Sequence, residues 1–504
     1  MSLLSVSARS VRALIAQVSE VGSLGRVGRH SMIYIGGQVF SRSLSFLLVP
    51  LFTRALTTSE YGVLALCTAV MGVLQPVLSV GAQGSVTRYF GVLPDEADRR
   101  RFVGTVFWLG ALLAVAAGGA AEVAGNGVAR ILFKDLPYAP YLRLAVWASV
   151  AGLVGVVPGA IAMSSERPAL YSLLTYGNSI LRLLLSVALV VSLHRGLRGV
   201  LEAMLLSNLL FFPVYLWIAI SEGSFTVNRA WALRALLFGL PLVPHNLAHW
   251  ALNLSDRVVL QRYVTQADLG IYALSFQIAQ IVAILTAGAN DAILPFMVNR
   301  AERSDARELF TKLTSVFAFA SVLLTVVVIS SARLLTGIAA PGSYAEAAEL
   351  VLPLALGYLL LAFYYIPRHY LFIAGRNGRV AIASVSSALL NIVWNLALAP
   401  RYGIVAAAWG TAACYLLLFV WVALSAHQFR IGRYDLVWLS ACLAGLALVV
   451  VAGRSRLWET HVAPLFAPAL AVGIFLAGLL VFRAAGGSVI RRLGESGGRV
   501  ATSW

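Results

Sequence analysis

The sequence is poor in charge. Only 12% of its 504 residues are Asp, Glu, Lys or Arg, while 60% are hydrophobic. An ordinary soluble domain carries about 25% charged and about 45–50% apolar residues. Too few polar side chains are present to hydrate the whole surface, which excludes a soluble enzyme of two or three domains. A chain this apolar is not disordered either. Cysteine is scarce as well: Cys67, Cys414 and Cys442 stand singly in apolar runs. That pattern gives neither a disulfide framework nor metal-ligand spacing. No phosphate-cradling loop ending in Gly-Lys-Ser/Thr occurs, so Asp95-Glu96-Ala97-Asp98 is a charged loop and no helicase signature. Gly22, Gly25 and Gly28 precede an apolar span instead of a βαβ unit and bind no dinucleotide. The first 30 residues lack the apolar core of about 7–15 residues that marks a secretory signal. Val11, Leu14, Ile15 and Val18 follow helical spacing there, which fits an interfacial helix or a frayed leader equally.

Long apolar runs are what the sequence has. A helix needs about 20 mostly apolar residues to cross a bilayer. Fourteen such runs are found, at 32–52, 61–80, 102–121, 141–163, 169–193, 200–220, 235–254, 269–298, 313–331, 347–374, 380–399, 404–426, 436–452 and 462–482. Runs this long exclude a barrel, whose strands alternate over about ten residues. The expected fold class is an all-α polytopic membrane protein with about 14 transmembrane helices. With a cytoplasmic N-terminus, 24 of the 38 basic residues fall on inner segments or, for Arg368, at the inner end of a span, 11 on outer segments and 3 elsewhere within spans. That bias places both termini in the cytoplasm. It also disposes of nucleic acid as a partner for the net charge of +17, because the charge is spread over many short loops.

The chain repeats itself. Residues 54–66 and 262–274 align at an offset of 208, with Arg54, Thr57, Gly62, Ala65 and Leu66 identical to their partners and Glu60 matched by Asp268. Thr175, Asn178, Arg182 and Ser186 in the fifth span fall on Ser384, Ser387, Asn391 and Asn395 in the eleventh, at an offset of 209. Six spans separate equivalents. Six is even, so the two copies run in parallel, as in transporters whose pseudo-twofold lies along the membrane normal. The expected domains are an N-terminal cytoplasmic segment (1–30), an N-lobe of spans 1–6 (31–221) and a linker (222–234). A C-lobe of spans 7–12 (235–427) follows, with two further spans and a cytoplasmic tail (428–504).

The run Gly37-Gln-Val-Phe-Ser-Arg42-Ser-Leu-Ser-Phe-Leu-Leu-Val-Pro50-Leu-Phe-Thr-Arg54-Ala-Leu-Thr-Thr-Ser-Glu60-Tyr61-Gly62 resembles the opening of the Wzx-type polysaccharide and O-antigen flippases. Leu78-Ser-Val-Gly81-Ala-Gln-Gly-Ser-Val-Thr-Arg88-Tyr89-Phe90 fits the end of that family's second span. These flippases belong to the multidrug/oligosaccharidyl-lipid/polysaccharide (MOP, MATE-like) superfamily. The resemblance implies a protein of the bacterial cytoplasmic membrane with no cofactor. It also implies movement of an undecaprenyl-diphosphate-linked oligosaccharide from the inner to the outer leaflet by alternating access, beside polysaccharide polymerase machinery.

The polar residues within the spans point the same way. An Arg at mid-membrane costs about 2.5–3.5 kcal/mol on insertion scales. Arg42 and Arg182 occupy the middles of the first and fifth spans. Gln38 shares a stripe with Arg42, and Asn178 with Arg182, at spacings of three and four. Such stripes face water or protein, not lipid. Arg143, near the outer end of the fourth span, either joins them or snorkels. The rival reading makes each Arg a structural tie to carbonyls or to a buried acid, with Glu202 the best-placed carboxylate. An unneutralised pair of guanidiniums suits a diphosphate, which they grip bidentately. Asn391 and Asn395 either bind sugar hydroxyls or join helices. His245, His249 and Asp256 on the seventh span, and Asp291 on the eighth, are the candidates for coupling to H⁺ or Na⁺; interhelical bonding is the rival role for the histidines. No metal site is expected.

Two other functions compete. A MATE-type multidrug exporter favours an acid in the first lobe to attract organic cations, where span 1 offers Arg42. A membrane glycosyltransferase or polymerase needs a carboxylate cluster or a large external loop, and the longest outer loop is expected at about 122–140.

Overall fold

The computed structural model describes residues 46, 48–93, 95–134, 136–429, 431, 436–453 and 467–477. The expected N-terminal segment, most of the first span and the C-terminal tail lie outside these residues, and with them Gln38 and Arg42. Every regular element described is helical. In chain order these are α1 (Thr58–Ser79), α2 (Ala82–Tyr89), α3 (Glu96–Leu132), α4 (Tyr138–Ser164), α5 (Pro168–Ser192), α6 (Gly196–Glu222), α7 (Arg229–Gly239) and α8 (Leu242–Leu260). Then come α9 (Gln266–Val298), α10 (Ala306–Ser330), α11 (Ala332–Ala339), α12 (Ala347–Ile373), α13 (Asn377–His427), α14 (Leu436–Gly453) and α15 (Ala467–Ala477).

Among the described residues nine helices are long and apolar enough to cross a membrane: α1, α3, α4, α5, α6, α9, α10, α12 and α13. The chain is therefore a multi-pass membrane protein. α13 has 51 residues, about 75 Å of helix at 1.5 Å per residue, against an apolar bilayer core of about 30 Å. It is two spans, and Gly403 at φ 55°, ψ −135° breaks them where only glycine sits without strain. α8 overlaps the expected seventh span only over 242–254, since residues 235–239 belong to α7 and α8 runs on to Leu260; α14 lies at the expected thirteenth span, and α15 lies within the fourteenth. Another expectation fails. The outer loop placed at 122–140 is mostly helix, because α3 continues through Glu122 to Leu132. Nothing in Ala121–Leu132 stops a helix before Pro137, and Glu122 finds partners that make its charge tolerable there.

The helices assemble into two compact units, one of residues 73–128 and 137–244, the other of 49–72, 129–136 and the chain from 245. The core of the first gathers Val86, Phe102, Val103, Ile161 and Ile218, none more than 1% exposed. In the second, α14 and α15 pack against α10 and α12 through Val322, Val326, Phe363, Cys442 and Phe475, which fixes the place of the last two helices. All three cysteines are buried and free.

These units do not divide the chain at the repeat boundary. The start of α1 and the end of α3 belong with the second copy's helices, for a reason visible in the side chains. Thr57 and Glu60 close a reciprocal capping box at the start of α1: the Thr57 amide donates to Glu60 at 2.9 Å, and the Glu60 amide donates to Thr57 Oγ1 at 3.2 Å. Thr265 and Asp268 repeat it at α9, at 2.9 and 3.1 Å. Beside each box an arginine caps a helix end from the other copy. Arg54 Nη2 donates to the Ile338 carbonyl at 2.9 Å, and Arg262 Nη2 to the Ile131 carbonyl at 3.1 Å. The preceding residues do likewise, Thr53 donating to the Ala339 carbonyl and Gln261 to that of Leu132. These acceptors are the orphan carbonyls of the C-termini of α11 and α3. Where α1 crosses α9, a Cβ on Gly62 would lie 1.9 Å from the Gln266 carbonyl oxygen, and one on Gly270 2.1 Å from that of Thr58. Thr58 and Gln266 are themselves 208 apart. Each contact is matched by its symmetric counterpart, the signature of a local twofold. The aligned residues are thus the ones that join the copies.

Candidate functional site

α5 carries the central polar residue of the first unit. Arg182 lies between two turns of π-helix, Leu173–Gly177 and Val187–Ser192, a distortion that recurs at functional sites. Its side chain is half-buried. Its Nε is sealed from solvent without a hydrogen-bond partner, and no carboxylate lies within 4 Å of it among the described residues. A desolvated guanidinium without an anion is costly.

The carboxylates that might have neutralised it are taken. Glu122 accepts from Arg143 Nε at 2.8 Å and from Trp147 Nε1 at 2.6 Å. Glu202 accepts from Arg195 at 2.5 Å and from Arg198 at 2.7 Å. Glu222 pairs with Arg167 at 2.5 Å. Arg143 therefore does not join Arg182 as a free cation; it is an ion-paired residue on α4, held by a glutamate expected in a loop. Asn178 is likewise turned to packing. Its amide donates to the Ser207 carbonyl, Asn208 Oδ1 and Tyr215 Oη, all on α6, at 3.2–3.3 Å. Of Asn178 and Arg182, the arginine keeps a donor unused.

The second unit is solved differently. Asp256 and Arg257 are 2% and 5% exposed. Arg257 Nη1 lies 3.4 Å from Asp256 Oδ1 and donates to the Asn253 carbonyl at 2.9 Å, and its guanidinium stands 4.3 Å over the Phe276 ring. Tyr272 donates to the other Asp256 oxygen. Arg257 lies beyond the expected seventh span (235–254) yet is buried on α8, and Asp256 already holds a cation. Asn391 and Asn395 are buried and act as ties. Asn395 Nδ2 donates to the Asn391 carbonyl at 2.9 Å, and Ser255 donates to Asn391 Oδ1 at 3.3 Å. Both amides face protein instead of an open cavity, although Asn395 Oδ1 is left without a partner. His249 is exposed, and the His245 side chain lies outside the description. Asp291 is exposed and accepts from Asn290 at 3.0 Å.

Sequence reasoning missed the Arg257–Tyr272 arrangement and His369, a residue 1% exposed on α12 with both ring nitrogens unpartnered. The one available signal for His369 was a histidine two residues after Pro367, where the helix's own bonding is interrupted. Among the described residues no group of His, Cys, Asp and Glu could hold a metal ion.

Residues 51–348 match the family described as polysaccharide biosynthesis protein. A protein of the Lsg locus of Haemophilus influenzae is 24% identical over 274 residues, which is 53% of this chain and 65% of that one. The chain thus spans a little under two thirds of that relative. An uncharacterized membrane protein of the same organism is 21% identical over 285 residues, 55% of this chain and 67% of its own. In three dimensions the lipid II flippase MurJ in an inward closed conformation is similar at a TM-score of 0.70, covering 90% of this chain and 98% of its own at 13% identity. A multidrug resistance MATE family transporter of the MOP superfamily is similar at 0.63, over 77% of this chain and 95% of its own at 16% identity. The fold is that of the MurJ and MATE transporters.

Proposed function

The chain belongs to the polysaccharide biosynthesis protein family, and from that premise we propose that it is a flippase for a polyprenyl-diphosphate-linked oligosaccharide in the bacterial cytoplasmic membrane. It works by alternating access, with the basic end of the bundle and both termini in the cytoplasm. The observation that carries this reading is Arg182, a guanidinium in mid-span with no carboxylate among the described residues to satisfy it. A diphosphate supplies that anion and meets the planar fork with two oxygens. Arg42, in the equivalent of a mid-span position in the first span, is its proposed companion. The sugars meet side chains other than Asn178 and Asn391, whose amides are engaged by neighbouring helices, and Asn395, which is buried against Asn391 on its own helix. Coupling to H⁺ or Na⁺ falls to His249 and Asp291, since Asp256 is engaged by Arg257 and Tyr272.

The MATE-like exporter is the second reading, and the carboxylates weigh against it. Glu122, Glu202 and Glu222 are each engaged by arginine, so none of them stands free to draw an organic cation. The test uses a strain lacking the gene. It should accumulate complete lipid-linked repeat units in the inner leaflet, where loss of a glycosyltransferase would leave truncated ones. Arg182→Ala should abolish export while leaving abundance and detergent-solubilised melting unchanged, and Arg182→Lys should keep partial export. Full export by Arg182→Ala at normal abundance would refute the anion site.

A further inference from the structure

A second set of acid-free arginines lies at the basic end of the first unit, far along the chain from Arg182. Arg88 stands 5.4 Å from the Phe238 ring centre and 5.8 Å from that of Tyr89. Arg234 stands 4.7 Å over Trp231, and Arg99 5.3 Å over Phe90. Among the described residues no carboxylate comes within 4 Å of any of the three, whereas neighbouring Arg101 and Arg167 each hold one. The rings beneath them are continuous. Tyr89 meets Phe238 and Phe102 edge-on at 6.0 and 5.5 Å, and Phe102 meets Trp231 at 5.5 Å. Phe102 is wholly buried in the unit's core, so this base is anchored. The backbone closes the same end, with the Ser224 amide donating to the Arg100 carbonyl at 2.9 Å.

Three facts specify a ligand. A guanidinium lying on an aromatic face is fixed in orientation and keeps its N–H edges free for oxygen anions, which it grips in pairs. Arg234 and Phe238 are one turn apart on α7, so the two cations flank about 6 Å of helix. Beside them Leu233, Leu237 and Leu240 are 55%, 63% and 54% exposed along the adjoining stripe. Free phosphate has no use for that apolar stripe. A phosphate carried on a lipid does, because its headgroup meets the cations while its chain lies along the leucines, the arrangement of an interfacial amphipathic helix.

We propose that Arg88 and Arg234, held on the Tyr89–Phe102–Trp231–Phe238 base, form a docking site for the phosphate or diphosphate headgroup of a membrane lipid. The occupant is an anionic phospholipid of the surrounding leaflet, whose headgroup meets the two cations and whose chains meet the exposed leucines; the transported lipid is the alternative that the test separates.

The experiment is native mass spectrometry of the full chain titrated separately with undecaprenyl diphosphate, phosphatidylglycerol and inorganic pyrophosphate. Arg88→Gln and Arg234→Gln are made singly and together, with Arg88→Lys/Arg234→Lys as the charge-keeping control and melting followed in every sample. The unaltered chain should bind the lipids but not pyrophosphate at matched concentration. The double Gln variant should lose about tenfold in affinity, each single variant part of that, and the Lys control less. Preference for undecaprenyl diphosphate assigns the site to the transported lipid; equal, arginine-dependent binding of both lipids assigns it to the bilayer. Undiminished binding of both lipids by the Gln variants would overturn the proposal, as would pyrophosphate binding as tight as that of the lipids. An Arg182→Ala protein with full export refutes the flippase site without touching this result.

Discussion

Two arginines, one buried and one half-buried, show how differently one side chain is accommodated. Arg257 has a carboxylate, a carbonyl and an aromatic face; Arg182 has an Nε with nothing to donate to. For Arg257 the partners were hard to read, because residues adjacent in a helix do not ordinarily face each other. Its burial follows from Tyr272 and Phe276 on another helix, which no spacing within α8 announces. Asp256→Ala should be severe, because it leaves an uncompensated charge indoors, at about 3–5 kcal/mol. Replacing both residues, as Asp256→Leu/Arg257→Met, should cost less than Asp256→Ala alone. Melting of the purified variants checks the order; if the double variant is the less stable one, the carboxylate is not what keeps Arg257 tolerable. Asn178 and Asn391 teach the converse. A polar stripe reveals that a helix face avoids lipid, but water and a neighbouring helix satisfy it equally well, and here the neighbour won.

Helix starts were plainer. Thr57-x-x-Glu60 and Thr265-x-x-Asp268 spell capping boxes in sequence, and both form. Thr265→Ala should remove about 1 kcal/mol of stability. The glycines at the crossing of α1 and α9 are less forgiving. A Cβ on Gly62 would sit 1.9 Å from a backbone carbonyl oxygen, and backbone cannot swing aside as a side chain can. Gly62→Ala and Gly270→Ala should therefore each reduce the amount of folded protein in the membrane. Gly288→Ala, on the same α9 with nothing within 4 Å of its Cβ, should be neutral or slightly stabilising. Equal abundance of all three variants would show that the helices part without penalty. The end of α3 was illegible for a simpler reason: hydropathy falls at Glu122, but helical bonding does not, and only contact with Arg143 and Trp147 reveals why the charge is allowed.

At the scale of the molecule, the helical class and the approximate places of the nine long apolar helices among the described residues were written in the sequence, since both depend on composition and period alone. The grouping of helices was not. Chain order predicts lobes cut between copies, whereas Arg54, Arg262 and the paired glycines tie the beginning of one copy to the end of the other. Severing the chain within 222–228 and co-producing the two parts should thus give fragments that copurify and recover export, while Arg54→Ala/Arg262→Ala weakens the reassembly. Failure of the unaltered fragments to copurify would show that the crossed contacts are too weak to join them. Because each arginine serves a carbonyl of the opposite copy, a protein of one copy would contain both halves of the contact and could satisfy neither internally. Two such proteins lying parallel would satisfy both. The reciprocity of these bonds is therefore that of a parallel dimer's joint, carried here within one chain.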